Sequence, residues 1–164
     1  MVKLDRINIK ILKALQADAS VSNLKLADQV GLSPSPCHER VKRLEQTGVI
    51  KGYRMDLDMG KIAPHVFVFA EITMRNHSFE EFRQFERNIR SIPEIVECFK
   101  LSGGYDYLLR FICRDMAHYH DLTEEMIDRD MGIDKIVSLV ALDMTKGFTD
   151  YPLDVLLKGQ DESD

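Results

Sequence analysis

Residues 22–50 read SNLKLADQVGLSPSPCHERVKRLEQTGVI, and the start and stop signals in this stretch decide the architecture of the first third of the chain. Ser22 is a capping residue whose hydroxyl can accept from a free first-turn amide, and Val21 before it can staple onto Leu26. Gly31 supplies the left-handed residue that ends a helix. A second helix restarts within a few residues. Ser33 or Ser35 can cap it, and Pro34 and Pro36 fall in a first turn whose amides need no helical partner. A turn this short leaves two helices crossing steeply.

On the second helix Cys37, Val41 and Leu44 recur at helical spacing and can face the preceding helices. That turns Ser35, Glu39, Lys42, Arg43 and Gln46 outward, with His38 on the flank. Such a face suits DNA: Ser and His near the N-terminal end can reach base edges or phosphates, and Lys42 and Arg43 can donate to guanine or to the backbone. An ordinary amphipathic helix with a solvated charged face has the same pattern, so the helix alone leaves both readings open.

Charge distribution separates them. The chain of 164 residues carries a formal net charge of -5. Residues 1–54 hold ten Lys and Arg against five Asp and Glu, while the remainder holds twelve against twenty-two. A basic module joined to an acidic one points to nucleic-acid binding by the first and a different task for the second. The length accommodates two small domains, each with a core. A hydrophobic content of 45% excludes disorder. No run approaches 18 apolar residues, and the charged, periodic N-terminus lacks a signal-peptide core, so a soluble, cytoplasmic protein with no membrane partner is expected. Cys37, Cys98 and Cys113 are odd in number and scattered within apolar patterns, and read as reduced core thiols.

Working outward from the helix pair, Leu4, Ile7, Ile11, Leu12 and Leu15 predict an amphipathic first helix over 4–17, with Asp5 near its start. Lys3, Arg6, Lys10 and Lys13 line its polar side. After Gly48, VIKGYRMDLD supplies two short extended pieces around Gly52, a hairpin or wing from which Lys51 and Arg54 can touch the DNA backbone. The candidate DNA contacts are therefore Ser33, Ser35, His38, Glu39, Lys42, Arg43, Lys51 and Arg54. Residues 1–54 form a winged helix-turn-helix, and MDLDMGKIAP, 55–64, is a linker punctuated by Gly60 and Pro64.

From residue 65 to 147 the pattern becomes β, α, β, β, α, β. VFVFAEITM from Val66 is a nearly continuous apolar strand. Ser78 and Glu81 form a capping box ahead of Phe79, Phe82, Phe85 and Ile89, and Pro93 ends that helix. Residues 95–101 and 106–113 are strands joined by a tight glycine loop. Asp115 caps a helix that ends at Gly132, and Ile136 to Met144 is the last strand. This is the order of a ferredoxin-like βαββαβ sandwich, which makes the chain α+β, with both helices on one sheet face. The other face is too apolar for water, so the domain is expected to dimerise through it and to present two winged helices to a two-fold DNA site. Residues 148–164 read as a C-terminal tail.

No nucleophile elbow, phosphate loop or zinc spacing appears, so neither a catalytic residue, a metal nor a cofactor is expected. His118 and His120 stand two apart on a helix and make a poor metal pair, while His38, His65 and His77 read as isolated surface histidines. The loop SGGYDY, 102–107, is different. Its adjacent glycines expose backbone amides suited to a ligand carboxylate, and Asp106 offers a partner for an ammonium, so the loop can hold an α-amino acid by both ends. A β-turn whose glycines serve only the backbone is the alternative.

LDRINIKILKALQAD, GLSPSPCHERVKRLEQTGVIKGY and SGGYDYLLR together resemble the Lrp/AsnC, or feast/famine, family of transcriptional regulators across about 150 residues. The resemblance implies a winged helix-turn-helix followed by the family's effector (RAM) domain. Dimers would associate further, commonly into octamers, and small molecules, usually amino acids, would bind near the glycine loop where dimers meet. Carried onto this chain, the effector residues are Ser102, Gly103, Gly104, Tyr105 and Asp106, with Leu139, Val140 and Ala141 from the neighbouring dimer. Two features depart from the family: Asp130, Met131 and Gly132 stand where Leu-Pro-Gly is frequent, and Gly104 stands where an acidic residue is frequent. The expected function is sequence-specific DNA binding modulated by a small effector. The alternative is an enzyme of the sirohaem decarboxylase type, which shares the two-domain shape.

Overall fold

The computed structural model describes residues 4–158, which form two compact units: residues 4–56 together with 147–158, and Leu57–Lys146. In the first unit, α1 (Arg6–Ala17) is capped by Asp5, whose carboxylate accepts from the Asn8 amide at 2.7 Å. Ser22 caps α2 (Asn23–Val30) by accepting from the Lys25 amide. Gly31 stops it in the left-handed region at φ 75°, where the Leu32 amide bonds back to the Ala27 carbonyl at 2.9 Å. The chain turns into α3 (Pro34–Gln46), and the Asn23 amide fixes the turn by donating to the Pro34 carbonyl at 2.8 Å.

Ile11, Leu26, Ala27, Val30, Cys37 and Leu44 form the core of this unit, and Val41 packs on it from α3. Each large aliphatic side chain removed from water here is worth about 1.5–3 kcal/mol. The expected β-hairpin wing does not form a ladder: residues 51–58 are exposed and carry no strand. Tyr53 instead ties this segment back to α3, its hydroxyl donating to Glu45 at 3.0 Å.

The C-terminal segment is more than a tail. Residues 147–158 belong with the helices of the first unit, and α7 (Leu153–Leu156) lies in them. The Gln16 amide clasps the segment at both backbone groups of Tyr151, donating to its carbonyl at 3.3 Å and accepting from its N–H at 3.0 Å. Lys13 reaches Asp154 at 2.7 Å.

In the second unit, after the short α4 (Met59–Ile62), come β1 (Val66–Met74), α5 (Phe79–Asn88), β2 (Ile95–Lys100), β3 (Tyr107–Cys113), α6 (Met116–Asp128) and β4 (Ile133–Val140). The strands form one antiparallel sheet in the order β2-β3-β1-β4. Alternation separates its faces. Val68, Ala70, Ile72 and Met74 of β1, with Tyr107, Leu109, Phe111 and Cys113 of β3, are buried with Phe85 of α5 and with Tyr119 and Met126 of α6. Phe67, Phe69, Leu108, Ile112, Val137, Leu139 and Phe99 share the opposite face through the strand register, and there Phe99 and Leu139 are about half exposed.

The last strand begins three residues earlier than the sequence suggests and ends four earlier. Gly132, at φ 74°, turns the chain directly into Ile133, which pairs with Met74. Beyond Ala141, whose amide bonds to the Phe67 carbonyl, the pairing with β1 stops, although β1 itself continues to Val66.

Candidate nucleic-acid interface and ligand loop

Helix α3 has one face locked and one free. Cys37 and Leu44 are fully buried or nearly so. Arg40, on the flank toward α1, bonds Asp5 at 2.5 Å and the Asn8 side-chain carbonyl at 3.0 Å. Burial alone would raise the Asp5 pKa, and the hydrogen bonds from Arg40 and the Asn8 amide outweigh it and hold the carboxyl below its ordinary range. Ser33, Ser35, His38, Glu39, Lys42 and Arg43 are all exposed, as are Lys51 and Arg54 on the following segment. Ser33 occupies the N-cap with extended backbone, but its side chain makes no capping bond.

Among the described residues, Arg6, Lys10 and Lys25 of the first two helices are exposed and form no ion pair, and the cations around α3 fall into held and unheld. Arg40 and Lys13 are held by Asp5 and Asp154. Among the described residues, Lys42, Arg43, Lys51 and Arg54 form no ion pair. A cavity of about 420 Å³ opens beside α3, lined in part by His38, Lys42, Glu45 and Tyr53.

In the second unit the loop between β2 and β3 holds the other candidate residues. Among the described residues, the amides of Ser102, Gly103, Gly104 and Tyr105 make no hydrogen bond. Asp106 is anchored on all sides. Its N–H donates to the Ile72 carbonyl at 2.8 Å, and its own carbonyl accepts from Leu101 at 2.9 Å. Oδ2 accepts from the Met74 amide at 2.8 Å, and Oδ1 lies 3.2 Å from Nε2 of His77. The carboxylate read from sequence as a partner for an ammonium thus also holds the end of β1 through the Met74 amide.

His77 is the residue the sequence reading missed. It is remote from Asp106 in the chain, and only the turn after β1 brings it there. Its ring meets Phe82 edge-on at 5.9 Å, and Lys100 sits 3.7 Å over the Phe82 ring. Tyr107 donates to Glu86 at 2.8 Å. That bond, aided by Lys100, lowers the Glu86 carboxyl, while burial and Glu86 push the Tyr107 phenol up.

Leu139, Val140 and Ala141 do not meet the loop within one chain. The loop adjoins Ile72, whereas Val140 pairs with Val68, four residues along β1 and about 13 Å away at the usual strand rise. Two further groups were not anticipated. His120, Asp121 and Glu124, exposed on α6, place their ligand atoms within 4.8 Å of one another. A cavity of about 170 Å³ is lined by Arg75, Asn76, Glu81, Gln84, Asp130, Met131 and Gly132, so part of its wall is the segment where the chain departs from Leu-Pro-Gly.

Two family models match the chain. Residues 4–51 match a winged helix-turn-helix DNA-binding domain, and residues 67–151 match the Lrp/AsnC ligand binding domain. The leucine-responsive regulatory protein of Haemophilus influenzae is 41% identical over 143 residues, covering 87% of this chain and 86% of that protein. The crystal structure of an AsnC family transcriptional regulator from Agrobacterium tumefaciens superimposes with a TM-score of 0.85 at 37% identity, covering 94% of this chain and all of that one. A transcriptional regulator from Neisseria meningitidis in complex with L-Met also gives 0.85, at 31% identity, covering 94% of this chain and 99% of that one. Among the described residues no helix is long and apolar enough to cross a membrane.

Proposed function

The chain belongs to the Lrp/AsnC family of transcriptional regulators, and from that premise we propose how its two units divide the work. It is a DNA-binding transcription regulator whose second unit is a ligand-binding domain. Helix α3 enters the major groove and reads bases through Ser35, His38, Glu39, Lys42 and Arg43, while Ser33, Lys51 and Arg54 take phosphates. The observation that carries this reading is the set of exposed cations, Lys42, Arg43, Lys51 and Arg54, left without ion pairs among the described residues beside a helix whose other face is fixed.

One α3 spans too few bases for a regulator. Two copies pair through the open sheet face of Phe67, Phe69, Phe99, Leu108 and Leu139, which supplies the two-fold axis, and the dimers associate further, to octamers. The effector is an amino acid. Its carboxylate takes the free amides of 102–105 and its ammonium takes Asp106, with Leu139, Val140 and Ala141 contributed by another copy. The Neisseria structure with L-Met supports that ligand class. An effector of this kind acts only to the extent that it prefers one assembly or DNA-bound state over another. The relatives reported above are transcriptional regulators and lend no support to the sirohaem decarboxylase alternative.

Genomic fragments selected on the immobilised protein, then measured by fluorescence anisotropy with and without each amino acid, test the reading. Tight binding that an amino acid shifts is the expected result. Failure to retain any fragment at low salt contradicts it.

A further inference from the structure

We infer that His77 gates the effector site, so that amino-acid binding is coupled to the charge on its imidazole; the inference rests on the proposed role of Asp106. Of the two Asp106 oxygens, Oδ2 is committed to the Met74 amide at 2.8 Å. Oδ1 has no backbone donor and is the more open of the two to a cationic group, and His77 Nε2 lies 3.2 Å from it. The Asp106 side chain is 16% exposed and His77 is 64% exposed, so the carboxylate is largely covered while the imidazole beside it meets solvent.

A neutral imidazole shares Oδ1 with an incoming ammonium or accepts from it through its free lone pair. A protonated one is itself the cation bound to Asp106, and it repels a second. When the imidazole is charged, effector binding therefore displaces its proton, and binding weakens as that charge is acquired. The other groups around the ring do not replace it in this role. Phe82 from α5 presents an edge, and Lys100 from β2 is held over Phe82 and paired with Glu86 at 3.4 Å. On the turn itself Arg75 is paired with Asp130 at 3.2 Å, and Asn76 donates to Glu81 at 2.8 Å.

The test is calorimetric titration of the full-length protein with each of the twenty L-amino acids at about pH 5.5 and pH 8, the range across which histidine changes charge. It is run on wild type, His77→Asn and Asp106→Asn, in two buffers of different ionisation enthalpy. For each amino acid that binds, wild type is expected to bind about two- to fivefold more weakly at the lower pH, the range of one partly exposed ion pair, and to release protons on binding. His77→Asn binds equally at both pH values and releases none. The same pH slope and proton release in His77→Asn overturn the gate alone. Binding that survives undiminished in Asp106→Asn, or no binding of any amino acid to wild type, overturns the effector site itself and the gate with it.

Discussion

Replacing Asp106 by alanine and by asparagine separates two tasks that converge on one carboxylate. In the alanine protein the Met74 amide loses its partner at 2.8 Å in a place where the Met74 residue is almost wholly buried. An orphaned buried donor costs about 1–3 kcal/mol. The His77 contact adds little, because His77 is mostly exposed. Asparagine keeps a neutral acceptor for the Met74 amide and costs about 1 kcal/mol or less. For a unit of this size 1 kcal/mol moves the midpoint by about 4–8 °C. In thermal melts of the full-length protein, Asp106→Ala should therefore lower the melting of the effector unit by roughly 5–15 °C, and Asp106→Asn by much less. Both should lose the response to amino acids. The pair matters because alanine alone confuses a lost ligand with a loosened sheet. An alanine protein that melts with wild type would refute the structural task, and an asparagine protein that still responds fully would refute the ligand task.

Three further outcomes follow from the same geometry. Deleting residues 148–164 removes the Gln16 clasp and the Lys13 contact; the DNA-binding unit should lose about 1–2 kcal/mol and melt earlier, while the effector unit is unchanged in differential scanning calorimetry. Asp5 is held below the ordinary carboxylate range, so its contribution is present above its unfolded value, near pH 4, and is lost as pH falls through the folded one. Asp5→Asn, which keeps a capping side chain, should therefore show a flatter acid limb than wild type. The Cys98 thiol is pushed up to about 11 by burial and by Glu86, so although the residue is exposed its alkylation at about pH 8 should be roughly twentyfold slower than that of an ordinary thiol.

Local signals carried most of the fold. Ser22, Gly31, Ser78 and Asp115 cap or stop helices where the sequence places them, because capping is decided by a hydroxyl, a carboxylate or a missing Cβ within four residues. The strand Val66–Met74 was legible from its continuous apolar run. The last strand was misplaced because its apolar residues continue to Met144, whereas its pairing with β1 stops at Val140. The wing was expected from extended residues around Gly52, but a ladder needs a partner, and Tyr53 finds one on α3 instead.

Parts of the candidate site depended on contacts far apart in sequence. The exposed face of α3 was readable because the opposite face repeats at helical spacing. Arg40 carries the same charge as Lys42 and Arg43, and only its meeting with Asp5 and Asn8, from another helix, marks it as a clamp. His77 looked like an isolated surface residue until the turn after β1 set it on Asp106. Residues 147–158 gave no signal of returning to α1, since a single glutamine paired with a backbone leaves no periodicity to detect.

The central claim is that the unpaired cations on and beside α3 neutralise DNA phosphates or reach bases. The salt dependence of affinity for a selected genomic fragment tests it most directly, measured for wild type, Lys42→Ala and Arg43→Ala. Each lost phosphate contact should flatten the slope of log K against log salt by about 0.9. A lost base contact should cost about 1–3 kcal/mol and relax discrimination at one position of the site. Lys42→Ala and Arg43→Ala proteins that keep the affinity, the discrimination and the salt slope of wild type would contradict the assignment of α3 as the reader.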